Sequence, residues 1–293
     1  MAKIPIGTAL TESFGFVQPG WSKAWGAMAV VVIVNTGAQF LQGVIATGGL
    51  GVALLVLVVQ TLAGTLAAGA LYRVALGPDH GSDYEFRPGP AGMQWGSLEW
   101  RVLGANVIVG LIIGVVSFVF LIAWAIGLGV MVAGHMIDMG PLQSAGLQGR
   151  EAVLAAFGQL LLGPAGLLTL AILGPGLAII LYLSARLSLY AVAAADSGSF
   201  DMGRAWSLTK GATGAILVTL ISYFLFAWVL AMVFGLLGGF LAKAAGFAGA
   251  RQAAAIAGAA IGAALGAPLI AGLVTYVYRT ERGGGASVAE QFS

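Results

Sequence analysis

The chain contains no cysteine in 293 residues, which removes disulfides, thiolate nucleophiles, iron-sulfur ligation and cysteine-based zinc sites together. Histidine is nearly missing too, with His80 and His135 the only imidazole ligands available. Charge is scarce: 8% of residues are charged, where a soluble domain carries roughly a quarter. Lys plus Arg number 13 against 11 for Asp plus Glu and form no basic face, so nucleic acid is not an expected partner. Apolar residues are abundant, at 59% of the chain with a mean hydropathy of +0.98. The composition therefore predicts an all-α integral membrane helical bundle, since helices satisfy their own backbone hydrogen bonds in hydrocarbon.

The charge-free intervals locate the spans, because a Lys, Arg or Asp at mid-membrane costs about 2.5–3.5 kcal/mol. Five qualify: 24–72, 102–137, 152–185, 211–242 and 252–278. The first is too long for one crossing of about 20 residues and carries a turn-like patch at Gln42-Gly43 and Thr47-Gly48-Gly49. Six transmembrane helices are thus expected, at 25–41, 49–72, 102–126, 165–183, 215–234 and 253–278, with short interfacial amphipathic helices between them. The domain plan is an N-terminal interfacial segment at 1–23, a six-span membrane domain at 24–279 and a disordered cytoplasmic tail at 280–293. The first 23 residues lack the shape of a signal peptide, so the first span is expected to be an uncleaved anchor.

Orientation follows from the basic residues. With both termini cytoplasmic, Lys3, Lys23, Arg73, Arg87, Arg101, Arg186, Arg204, Lys210, Arg279 and Arg282 share that side, and only Arg150, Lys243 and Arg251 lie opposite. The expected location is a bacterial inner membrane.

Three short stretches resemble one another: Ser22-Lys-Ala-Trp25, Ser97-Leu-Glu-Trp100 and Gly203-Arg-Ala-Trp206. Each precedes an odd-numbered span, while the even-numbered spans end in Tyr72-Arg73, Tyr182 followed by Arg186, and Tyr278-Arg279. Three helical hairpins would give this pattern; so would an ordinary aromatic and basic belt at a membrane interface.

The segment from Arg186 to Ala212 concentrates charge between two apolar runs. Ser199 is placed to cap a helix from Phe200 to about Thr209, with Asp201 near its positive end and Lys210 near its negative end. Met202, Ala205, Trp206 and Thr209 share one face of that helix. Arg186, Asp201, Arg204, Trp206 and Lys210 are therefore the candidate site. They read either as a grip on an anionic lipid headgroup or as a structural clasp in which Asp196 and Asp201 pair with Arg186 and Arg204.

Arg186-Leu-Ser-Leu-Tyr190, followed by Arg204-Ala-Trp-Ser-Leu-Thr-Lys-Gly211, and Gln94-Trp-Gly-Ser-Leu-Glu-Trp-Arg101 resemble a broad bacterial inner-membrane family. It includes the membrane domain of some glycerophosphoryl diester phosphodiesterases and stand-alone alphaproteobacterial proteins. The family's usual proline between the two motifs is missing, since 191–195 contains none. The resemblance implies a fold and a location. The family's phosphodiesterase activity belongs to a separate soluble domain, so no catalytic residue is carried over.

Little else points to chemistry. Asp79, His80, Asp83 and Glu85 are acceptable ligands for a divalent ion, but Gly77, Pro78, Gly81, Pro88 and Pro90 around them predict a solvated loop rather than a metal site. His135 beside Asp138 is a weaker pair of the same kind. No serine or lysine stands in a nucleophile-elbow or phosphate-loop context, so no enzyme activity and no cofactor are expected. The spans hold only neutral polar groups, Asn35, Gln39, Gln60, Asn106 and Gln159, which suit helix association better than a transport path. Equal depth should pair Asn35 with Gln60. Glycines at 258, 262 and 266 and at 110 and 114 form small-residue faces for packing within the monomer or for homo-oligomerisation, and Pro175 and Pro268 should bend their spans. The expected role is a non-enzymatic, lipid-embedded binding or organising module whose partners are membrane lipids. The alternative is a transporter of a small molecule or lipid, with a membrane-bound enzyme of lipid metabolism third.

Overall fold

The computed structural model describes residues 5–41, 48–81, 83–137, 162–246 and 249–282, with isolated positions between 140 and 158. The expected features at Lys3, residues 42–47, Ser82, Asp138, Arg150, Gln159 and the tail 283–293 lie outside the described residues. Within them the chain forms helices and no strand. In order these are α1 (Ile6–Gly15), α2 (Val17–Phe40), α3 (Gly49–His80), α4 (Ser97–Ala133), α5 (Pro164–Leu187), α6 (Tyr190–Ser197), α7 (Met202–Thr209), α8 (Thr213–Ala244) and α9 (Ala250–Arg282). Two 3₁₀ turns, Tyr84–Phe86 and Pro90–Gly92, lie between α3 and α4.

Among the described residues, five helices are long and apolar enough to cross a membrane: α3, α4, α5, α8 and α9. The other expected span, 25–41, is the later part of α2. Its earlier turns carry Gln18, Pro19, Ser22 and Lys23, and the backbone leaves helical geometry at Ala24 (φ −123°, ψ 27°). Only the stretch beyond that kink is apolar. Several helices overrun their expected limits. In particular α3 continues past Tyr72-Arg73 to His80, with Pro78 inside its last turn.

Contacts divide the chain into two compact units, one drawn from residues 1–107 and 185–293 and the other from 108–184. In the first, α9 packs against α1, α2, α3 and α8. Pro268 lies inside α9 and has no N–H, so the Ala264 carbonyl loses its usual partner one turn ahead. The Trp21 indole of α2 takes that place, donating to Ala264 O at 2.8 Å. Nearby, Gly20 of α2 lies so close to both Pro268 and Leu71 that a Cβ there would already touch them. Farther along α2, Gln60 Nε2 donates to Asn35 Oδ1 at 3.2 Å, the pairing expected from their equal depth. Gly20 against Leu71 and Asn35 against Gln60 together make α2 and α3 antiparallel.

In the second unit α4 and α5 run antiparallel. Trp124 Nε1 donates to Thr169 Oγ1 at 2.9 Å, and Gly127 and Gly176 make room for Leu168 and Phe120. Pro175 sits inside α5 without ending it. Of the expected glycine faces, Gly266 has the Tyr223 hydroxyl where a Cβ would be, while Gly110, Gly114 and Gly262 have open space there.

Candidate functional site

Arg73 in the later part of α3 and the arginines near the ends of α5 and α9 are buried rather than free at the surface. Arg73, Arg186 and Arg279 are 1%, 4% and 5% exposed. A guanidinium stays charged at any physiological pH, so each buried one needs partners close at hand.

Arg73 finds a full counter-charge. Its two Nη atoms meet the Glu99 carboxylate side-on, with Nη2 donating to Oε2 at 2.7 Å, and its Nε donates to the Glu85 carbonyl at 2.8 Å. Glu99, in the first turn of α4, also accepts the Gly96 N–H at 2.8 Å. Gly69, one turn before Arg73 on α3, lies against this carboxylate so closely that any Cβ would overlap it. The two helices can meet around the pair only with glycine there.

Arg279 turns back onto the end of α3. Its Nε donates to Asp79 Oδ2 at 2.8 Å and its Nη2 to the Ala75 carbonyl at 2.6 Å. Beside it, Asp196 near the end of α6 collects three donors: His80 Nε2 lies 2.9 Å from Oδ1, Tyr278 Oη donates to Oδ2 at 2.6 Å, and Arg282 Nη1 reaches Oδ2 at 2.7 Å. The His80 ring stacks on Phe86, centroids 3.7 Å apart. One carboxylate thus joins the ends of α3, α6 and α9. Gly198 then closes α6 in the left-handed region (φ 71°), where a side chain would be strained, and the chain turns toward α7.

The expected site around α7 separates into inner and outer parts. Arg186 stacks on Trp206 with its guanidinium carbon 4.2 Å from the ring centroid, and its Nη1 donates to Thr213 Oγ1 at 3.3 Å. The Arg186 carbonyl accepts the Thr209 hydroxyl at 3.0 Å. The helix begins later than expected: Asp201, not Ser199, is its N-cap, and Asp201 Oδ1 accepts the Arg204 N–H at 3.1 Å. Ser199 is engaged with Ser197 instead, their hydroxyls 3.0 Å apart. Asp201 therefore holds the backbone of Arg204 rather than its side chain, and Asp196 belongs to the α3/α9 cluster rather than to Arg186. Arg204 and Lys210 have no ion-pair partner among the described residues.

The four acidic and imidazole side chains of 79–85 do not converge on one point. Asp79 pairs with Arg279 and His80 with Asp196; Asp83 Oδ1 accepts the Glu85 N–H, and Glu85 pairs with Arg101 at 2.9 Å. Asp79 and His80 are the last turn of α3 rather than part of a solvated loop, because Arg279 and Asp196 hold them there.

No protein-family model, curated protein or solved structure matches the chain.

The Arg73–Glu99 pair leaves only a weak trace in the sequence. Glu99 follows Arg73 across a polar connection and both sit at the ends of apolar runs. That placement was the available signal, since opposite charges at the same end of neighbouring helices can close on each other.

The three Trp-containing stretches share one geometry. Trp25, Trp100 and Trp206 are exposed, and the residue before each, Ala24, Glu99 and Ala205, is completely buried. Each stretch therefore turns an indole outward beside a closely packed contact.

Proposed function

We propose that the chain is a non-enzymatic, lipid-embedded binding or organising module of a bacterial inner membrane, with six spans, both termini cytoplasmic, and an anionic-lipid contact on α7. The observation that carries this reading is the division of labour around α7. Arg186 is buried under Trp206 and Asp201 is used as a cap, which leaves Arg204 and Lys210 to meet an outside anion. Phe200 and Trp206 are exposed beside them, the pairing of aromatic and basic groups that suits a headgroup layer. The part of α2 after Ala24 would supply the sixth span. The three outward indoles and three buried arginines support the division into three hairpins, and the likeness to the phosphodiesterase-associated membrane domain points the same way.

The test is Arg204→Glu combined with Lys210→Glu, read by native mass spectrometry of protein purified with phosphatidylglycerol or phosphatidylcholine. At about 1 kcal/mol for each basic residue near the surface, losing both should lower phosphatidylglycerol retention at least ~10-fold, with melting temperature nearly unchanged. A drop in melting temperature without loss of lipid would make the segment a structural clasp. Unchanged retention and unchanged stability would defeat both readings.

A further inference from the structure

A cavity of about 180 Å³ lies between α1, α8 and α9. Leu10 and Phe14 of α1, Phe226 of α8 and Leu269 and Leu273 of α9 form its apolar walls, with hydroxyls from Ser13, Thr219, Ser222 and Tyr223 among them. Two of these hydroxyls are already spent within their own helices, Ser13 on the Ala9 carbonyl at 2.6 Å and Thr219 on the Ala215 carbonyl at 2.8 Å. Phe14 and Phe226 meet edge to face, centroids 5.2 Å apart, and both stay exposed. The cavity thus shares the outward apolar surface of two helices long enough to cross a membrane.

Its depth can be read along those helices at 1.5 Å per residue. On α9, Leu273 and Leu269 lie six and ten residues before Arg279, or about 9 and 15 Å below that buried cation. On α8, Thr219 and Phe226 lie six and thirteen residues beyond Thr213, which holds Arg186, or about 9 and 20 Å below it. Pro268, next to the cavity's Leu269, packs on Gly20, four residues before the kink at Ala24 beyond which α2 is apolar, so the cavity lies near the level at which a bilayer changes from headgroup to acyl chain.

We infer that this cavity binds one acyl chain of a membrane phospholipid, with α1 as its outer wall. A water-filled cavity would need polar partners still free to bond, and here the lining is mostly hydrocarbon. An acyl segment replaces missing dispersion contacts at no desolvation cost. The inference rests on the chain being embedded in lipid, but it does not require the anionic contact at α7.

The test uses the full chain in phosphatidylcholine vesicles doped with a phosphatidylcholine that carries a diazirine near the end of one acyl chain, followed by photolysis and peptide mapping. Labelling should be several-fold higher on α1 and on 219–226 and 269–273 than on the exposed face of α4 around Val115 and Phe118, and it should saturate with probe. Ser222→Trp, which fills the cavity, should bring the excess labelling down to the α4 level. Leu273→Phe serves the same purpose if Ser222→Trp fails to fold. Labelling equal to that of α4 overturns the site, as does labelling that either folded variant leaves unchanged. Because the probe is zwitterionic, loss of phosphatidylglycerol retention in the α7 variant leaves this result unaffected; failure of the protein to insert at all would abolish labelling everywhere, α4 included.

Discussion

Glu99 at the start of α4 and Arg73 in the later part of α3 are stable in their buried positions only as a pair. Each is almost fully buried, and removing one leaves the other charged without a partner. Glu99→Ala should therefore cost about 3–5 kcal/mol in thermal or denaturant unfolding. Arg73→Leu together with Glu99→Leu should recover most of that loss, because an apolar pair of similar volume carries no desolvation debt. A double variant no better than the single would show that the Arg73 contact to the Glu85 carbonyl, and not the charge pair, holds this junction. In the sequence these two residues look like ordinary belt charges. Burial, which decides their role, depends on Gly69 letting α4 approach α3, and no periodicity in either helix reveals that approach.

Helix-to-helix docking depends on a carbonyl that a proline leaves open. Pro268 was legible as a helix irregularity, but its structural use, a seat for the Trp21 indole at Ala264, requires α2 to be laid against α9. Trp21→Phe keeps the ring and removes only the N–H, so it should cost about 1–3 kcal/mol for a buried acceptor left unmade. In a Pro268→Ala background the helix supplies its own donor to Ala264, and the same Trp21→Phe change should then cost little. Equal costs in both backgrounds would show that Trp21 acts by packing alone. The pairing of Asn35 with Gln60 was readable, since two amides at equal depth in neighbouring spans have few other partners. α7 starts two residues later than its sequence suggests: Ser199 and Asp201 are both good caps by type, and the engagement of Ser199 with Ser197 leaves the role to Asp201. Asp201→Ala should accordingly lower stability by about 1 kcal/mol, and Ser199→Ala by clearly less in the same melt.

At the scale of the whole molecule, the long apolar helices follow from the spacing of charge, and the expected orientation follows from which side the basic residues occupy. The structure adds a constraint that charge counting lacks. Asp79 at the end of α3 binds Arg279 at the end of α9, and Asp196 at the end of α6 binds both His80 and Arg282. These three ends lie together whatever surrounds them. Antiparallel packing of α2 on α3 puts the beginning of α2 at that end as well, with Gly20 beside Leu71. Reporters fused after Arg282 and inserted at the exposed Arg87-Pro88 turn must therefore give the same answer. With ten basic residues expected on that side, the answer should be cytoplasm for both. Two periplasmic signals would reverse the orientation and leave the fold intact, whereas one of each would break the polar cluster itself. The second outcome should then also appear chemically, as Asp196→Asn leaving stability unchanged despite the loss of a charge held by Tyr278, His80 and Arg282.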